Sequence, residues 1–293
     1  MSRLFNYPVI TIGAIIVIGA IVAMLMSCVG ARPEDQHPLA CDLGSSSSAG
    51  DPGPDLPPPS DLPTDCDATV GGRVLVVGLD TATGDGPTVV YMHGTYETPE
   101  GVLATDSAAQ AVAAAVEGEG GVLLLPRGRG WWLPGGPWPW GAVTGDAAWM
   151  AADAALVEAA LACVPGDPDR VSVAGFSAGA IAAAYLGELR PWASVVLWSG
   201  GVQPADRPAL PDAPGVMALH GGAGDIAQLR EGAIDYAEQA PSLGVLCDHG
   251  GGHATAQGTD GAAFLRDARA SGHPWAAAWP GGWTIDHYCG VVP

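Results

Sequence analysis

The chain has 293 residues, 48% of them hydrophobic and 14% charged, with 43 Gly and 26 Pro. That is enough for one large core or two small ones, too apolar for a disordered chain, and without the glycine period of a fibre. All 11 basic residues are Arg and 31 acids oppose them, for a net charge of −20, which excludes electrostatic binding to nucleic acid or to an anionic lipid surface.

Arg3 is the only charged side chain before Val9, and Val9 to Met26 is mostly Ile, Val, Ala and Gly. Such a run is the core of a signal peptide or an uncleaved membrane helix. Directly behind it stands Leu25-Met26-Ser27-Cys28. This tetrad resembles a bacterial lipobox, in which cleavage before the cysteine frees that residue for acylation. Residues 1–27 are therefore read as a lipoprotein signal peptide, with a plain membrane anchor as the alternative, and Cys28 as the lipidation site. Both readings place the body outside the cytoplasm, tethered to a bacterial membrane.

Residues 28–66 carry Ser45 to Ser48, Pro57-Pro58-Pro59 and the acids Glu34, Asp35, Asp51, Asp55 and Asp61. So little apolar surface cannot offset ordering entropy, and the stretch reads as a disordered, self-repelling spacer. Cys41 and Cys66 bracket part of it. With Cys28 lipidated, five cysteines remain, so at least one is free or pairs between chains. None has zinc-site spacing.

Residues 67–293 read as one domain of alternating strands and helices. In chain order the expected elements are a strand over 88–92, a helix over 104–117 and a strand over 121–126. A helix over 147–163, stopped by Pro165-Gly166, leads to a strand over 171–174 and a helix over 178–189. Strands over 194–198 and 216–219, a helix over 226–240 and a strand over 243–246 follow. Short apolar strands without polar alternation, separated by helices, imply a mostly parallel sheet covered on both faces.

Gly175-Phe176-Ser177-Ala178-Gly179 is the sharpest motif. With 43 Gly and 14 Ser in the chain, about 0.3 matches are expected by chance, so its setting must decide. It follows a strand and opens an Ala-rich helix, as a nucleophile elbow requires. The helix N-terminus beside Ser177 favours developing negative charge. The plainer alternative is a serine capping an ordinary strand-to-helix turn.

The strand-His93-Gly94 turn, the Asp169-Arg170-Val171 run and the elbow, in this order, resemble the α/β-hydrolase superfamily over about residues 86–260. Within it the chain is similar to secreted polyhydroxybutyrate-depolymerase-like, feruloyl and acetylxylan esterases. Their Cys-x-Asp-x-x-Arg-Val run has a slightly longer counterpart from Cys163 through Asp167 and Asp169 to Arg170-Val171. The resemblance implies an α/β fold with a mostly parallel central sheet and helices on both faces. It further implies Ser177 as nucleophile, with the backbone N–H groups of Ala178 and Thr95 forming the oxyanion hole. His93 is expected to hold its loop by hydrogen bonds.

The acid implied is Asp225, at the end of His220-Gly221-Gly222-Ala223-Gly224-Asp225, a His-Gly-x-x-Asp pattern with one residue added. It competes with a helix-capping role at Ile226, and Asp212 and Asp248 are the other candidates. The base implied is His253, in the Gly251-Gly252-His253 loop; His249 and His287 are its rivals. Five of the ten Trp, including Trp131, Trp138 and Trp140, fall between 131 and 149. They line a substrate wall or hold down a Pro/Gly-rich loop.

What the resemblance implies is a membrane-tethered serine esterase acting on polyester, feruloyl or acetylated-polysaccharide esters, with no cofactor or metal. A prolyl/dipeptidyl-type peptidase of the same fold, and a non-catalytic binding lipoprotein, are the alternatives. The sequence leaves oligomeric state open.

Overall fold

The structure is a computed structural model, and it describes residues 60–61, 72–128, 139–201, 215–240, 244–256, 258–271 and 289–292. All lie within one compact unit, Pro54–Pro293. The apolar N-terminal run, Cys28, Trp131, Trp138, Asp212 and His287 lie outside the described residues.

Nine strands form one sheet: β1 (Ser60–Asp61), β2 (Val74–Val77), β3 (Thr88–Met92), β4 (Val122–Pro126), β5 (Val171–Phe176), β6 (Ser194–Trp198), β7 (Gly215–His220), β8 (Gly244–Asp248) and β9 (Cys289–Val292). Their order is β1-β2-β4-β3-β5-β6-β7-β8-β9. The run from β4 to β8 is parallel throughout, while β2 on one side and β9 on the other are antiparallel to their neighbours. A disulfide between Cys247 and Cys289 joins β8 to β9 at paired positions.

The strands are apolar throughout because both faces are covered. On β3, Val90 and Met92 belong to one core cluster, and Val89 and Tyr91 to the other. The first face is packed by α4 (Ala147–Leu161), α5 (Ala178–Leu186) and α6 (Ala227–Glu238), through Leu156, Val157, Ala183, Leu186, Ala233 and Tyr236. The second is packed by α2 (Ser107–Glu117) and α7 (Gly258–Ser271), which also touch each other, through Val112, Val116, Phe264 and Leu265. Two short helices, α1 (Pro99–Thr105) and α3 (Gly141–Thr144), complete the set.

Three features differ from the sequence expectation. The helix expected over 104–117 is two helices, broken at Asp106, whose carboxylate caps α2 by accepting from the Ala108 and Ala109 N–H groups at 2.7 and 3.1 Å. Alanine content alone did not reveal that stop. Second, β1 falls inside residues 28–66, read as a spacer; Ser60 and Asp61 join the sheet by backbone pairing with Val76 and Leu75, which leaves no apolar signature. Third, β2, α1, α7 and β9 were not anticipated.

Helix α5 approaches the sheet more closely than any side chain allows. A Cβ on Gly175 would run into the Gly179 carbonyl, and one on Gly179 into the carbonyls of Met92 and His93. Overlap with rigid backbone cannot be relieved by rotamer change. Gly179→Ala should therefore cost more than about 3 kcal/mol of unfolding free energy, or prevent folding. Urea denaturation checks it; a near-neutral Gly179→Ala would mean that α5 can slide away from β3.

Candidate active site

Ser177 stands at the turn between β5 and α5 with φ 53° and ψ −118°. Such a left-handed conformation costs a non-glycine residue about 1–3 kcal/mol and persists only where its surroundings impose it. Here the Ser177 N–H donates to the Trp198 carbonyl at 2.9 Å, and the Ser177 carbonyl accepts from Ala180 and Ile181. The Ser177 side chain makes no capping hydrogen bond to α5. Its hydroxyl points elsewhere, to Nε2 of His253 at 3.0 Å.

His253 lies in the loop after β8, reached through Gly250 and Gly252, both at positive φ. Its Nδ1 is 2.8 Å from Oδ1 of Asp225, and its ring rests against Phe176 with centroids 5.0 Å apart. Asp225 follows β7 by way of a 3₁₀ turn over Gly222–Gly224, which absorbs the extra residue in the His-Gly pattern. Helix α6 starts at Ala227 with Ile226 as its cap residue and no side-chain cap, so Asp225 is not spent on capping it.

Burial raises the Asp225 carboxyl, but the hydrogen bonds from His253 and the Gly221 N–H, helped by nearby Ser199 and the charge on His253, outweigh it and hold the group at about 2. The carboxylate is thus ionised near neutral pH. It must accept the Nδ1 proton, which leaves Nε2 unprotonated and able to accept from the Ser177 hydroxyl. Structure thereby brings together the three side chains that the sequence singled out: Ser177, Asp225 and His253.

The rivals sit elsewhere. His249 Nδ1 accepts from the Gly251 N–H at 3.1 Å, and its buried Nε2 has no partner among the described residues. Asp248 accepts from the Gly250 N–H and lies 3.8 Å from His220, half exposed.

The β3 turn adjoins the elbow, because a Cβ on Gly94 would lie 3.2 Å from Phe176. Among the described residues, the N–H groups of Thr95 and Ala178 donate to no acceptor, as oxyanion donors must not. Buried His93 holds this turn: burial lowers its imidazole to about 4, so it is neutral. Nε2 accepts from the Gly128 N–H at 3.3 Å, which places the proton on Nδ1, donating to the Gly94 carbonyl at 2.9 Å.

Trp140 requires a correction. It is fully buried, its Nε1 donates to the His93 carbonyl at 2.8 Å and its ring packs on His93. It braces the turn from inside and offers no wall to a substrate. Two residues of the site region escaped the sequence reading, Glu97 and Ser199. Glu97 Oε2 accepts from the Gly94 N–H at 2.5 Å. Burial, opposed by that hydrogen bond and reinforced by Asp106, raises its carboxyl to about 7.

No family model and no curated protein matches the sequence. Solved structures do match the fold. The native form of pOPH is 18% identical, with a TM-score of 0.56, covering 75% of this chain and 90% of that one. The native form of sOPH is 16% identical, with a TM-score of 0.54, covering 74% and 89%. Esterase PE8 is 22% identical, with a TM-score of 0.51, covering 64% and 95%. With the strand order above, these likenesses establish the α/β-hydrolase fold that the sequence resemblance implied.

Because Glu97 is raised above its unfolded value of 4.5, its contribution to stability is complete below about pH 4.5 and lost as pH climbs through 7. Glu97→Gln removes that loss. The variant should gain about 3 kcal/mol on wild type between pH 4.5 and pH 8, read from urea midpoints at each pH. A difference that stays constant with pH would show that Glu97 ionises in the folded protein as it does in the unfolded chain.

Proposed function

We propose that the chain is a serine esterase, tethered outside the cytoplasm by a lipid on Cys28. The observation that carries the activity is the single imidazole of His253, bonded to the Ser177 hydroxyl on one nitrogen and to the Asp225 carboxylate on the other. That esterase PE8 has the same fold supports the choice of ester chemistry.

In this reading, the Ser177 oxygen bonds to the ester carbonyl carbon as its proton passes to His253 Nε2. Asp225 stabilises the imidazolium so formed. The carbonyl oxygen, now anionic, accepts from the Ala178 and Thr95 N–H groups; one such donor is worth about 10²–10³ in rate. His253 returns the proton to the leaving alkoxide as the C–O bond breaks, releasing alcohol and leaving the acyl group on Ser177. Water then attacks the acyl carbon with His253 as base, and release of the acid restores the serine. Polyester, feruloyl and acetylated-polysaccharide esters are the substrate classes to try first.

A fluorophosphonate probe should label the wild type and not Ser177→Ala, and Ser177→Ala should lose at least about 10⁴ in ester turnover while keeping its circular dichroism. Retained turnover in folded Ser177→Ala would remove the nucleophile assignment. Cleavage of peptide amides in preference to every ester in the panel would replace esterase by peptidase.

The tether rests on the apolar run that ends in Leu25-Met26-Ser27-Cys28, and the Cys247–Cys289 disulfide is what an oxidising compartment outside the cytoplasm permits. In bacterial cells given a fatty-acid analogue, the wild type should take up label and Cys28→Ala should not. An unlabelled wild type would reduce Cys28 to an ordinary residue behind the apolar run.

A further inference from the structure

Only three non-glycine residues among those described have positive φ: Tyr96 at 65°, Ser177 at 53° and Ser199 at 48°. Each lies just past the carboxyl end of a strand, β3, β5 and β6, and these three strands are neighbours in the sheet. Backbone strain in the described structure is thus gathered on the edge that carries the site. At Ser177 the strain aims the hydroxyl. Ser199 has no such explanation so far.

Ser199 is fully buried. Its N–H donates to the Leu219 carbonyl at 2.7 Å, continuing the β6–β7 pairing by one bond. Immediately afterwards the chain runs against the elbow, where a Cβ on Gly200 would lie 2.6 Å from the Ser177 carbonyl oxygen. The left-handed conformation at Ser199 therefore joins strand β6 to a segment pressed on the nucleophile turn. Glycine would adopt it freely, and serine adds only a hydroxymethyl group at a conformational cost.

That hydroxyl is well placed. The hydroxyl donates to the carbonyl of Ala254, the residue after His253, at 3.4 Å, and it helps to lower the carboxyl of Asp225, the group bound by His253 Nδ1. One side chain thus stands between the loop that carries the acid and the loop that carries the base.

We propose that Ser199 is a positioning residue for the Asp225–His253 pair, fixing the loop of His253 from the end of β6 so that its imidazole faces Ser177. The proposal rests on the triad reading above. The Gly221 N–H and the Ile226 N–H, which also bind Asp225, come from its own loop and move with it. Ser199 ties the loop of His253 to a different strand, and through Gly200 to the nucleophile turn.

Two variants of the full chain separate hydroxyl from backbone. Ser199→Ala removes the hydroxyl and keeps the strain; Ser199→Gly removes both. Each should lower kcat on an ester about tenfold, with KM within twofold of wild type, since only the aim of the base has changed. Ser199→Gly should nevertheless unfold at a higher temperature than Ser199→Ala. A merely structural serine would make rate follow stability, with the Gly variant the faster.

A second readout needs no substrate. In proton NMR, the low-field resonance of the His253 Nδ1 proton, assigned by its absence from His253→Ala, should shift or broaden away in Ser199→Gly. Wild-type kcat together with an unchanged resonance in folded Ser199→Gly overturns the positioning role and leaves the esterase standing. A wild type inert towards every ester but with its resonance lost in Ser199→Gly removes the esterase and keeps Ser199 as the anchor of the pair.

Discussion

The left-handed backbone at Ser177 exists because β5 and α5 meet with no side chain between them. Gly175 and Gly179 face each other's backbone, and Gly179 also abuts the carbonyls at the end of β3. With α5 held that close, the helix begins immediately after Ser177, and the Ala178 N–H is left without an acceptor among the described residues. The same contact sets the distance from the elbow to the His93-Gly94 turn, which carries Thr95, whose N–H likewise has no acceptor among the described residues. In the proposed mechanism, one steric condition therefore builds both the presentation of the Ser177 hydroxyl and the cradle for negative charge.

The acid and base are joined by the same device. A Cβ on Gly221 would collide with the Gly252 backbone, and the Gly252 N–H donates to the Gly221 carbonyl at 3.1 Å. The loop after β7 and the loop after β8 are thus pinned backbone to backbone, one residue before His253 and four before Asp225. Parallel pairing of β7 with β8 up to His220 and Asp248 delivers the two loops side by side. An inserted residue in the acid loop is tolerable under these conditions, since Gly222, at φ 66°, takes up the excess in a 3₁₀ turn. What aims Asp225 is its set of donors, and loop length is secondary.

Much of this was legible in the sequence wherever a local rule decides the outcome. The elbow was legible because close approach demands glycine at two positions around one serine. His253 was legible from a pair of glycines behind a strand, and the parallel sheet from strands apolar on both faces. Elements whose reason is tertiary were not. Strand β2 is only Val74-Leu75-Val76-Val77, and α7 opens on Gly258 because Ala108 of α2 leaves no room for a side chain there. Trp140 reads as core or wall until its Nε1 is seen on the His93 carbonyl. Ser199 and Glu97 carry no motif; one matters through a torsion angle and a bond to the distant loop of His253, the other through a backbone N–H three residues back.

Charge imposes a last condition on the site. The chain carries 31 acids against 11 bases, and in the proposed reaction an ester carbonyl under attack must become an anion inside it. Any ionised carboxylate near that oxygen opposes the reaction, the more so in surroundings of low dielectric constant. Asp225 is the exception that the chemistry needs, because its charge answers the imidazolium on His253. Glu97 lies on the oxyanion turn itself, bound to the N–H next to that of Thr95. Burial, with Asp106 beside it, keeps its carboxyl protonated up to about pH 7. Burial also raises the carboxyl of Asp106. The turn thus carries a carboxylic acid that shapes it by accepting a hydrogen bond, while over most of the acid range it holds back the charge that would repel the developing oxyanion. Under the proposed reaction an acidic protein is served by selective burial: the carboxylate with three donors, from His253 and the Gly221 and Ile226 N–H groups, ionises, and the one with a single backbone donor waits until neutral pH.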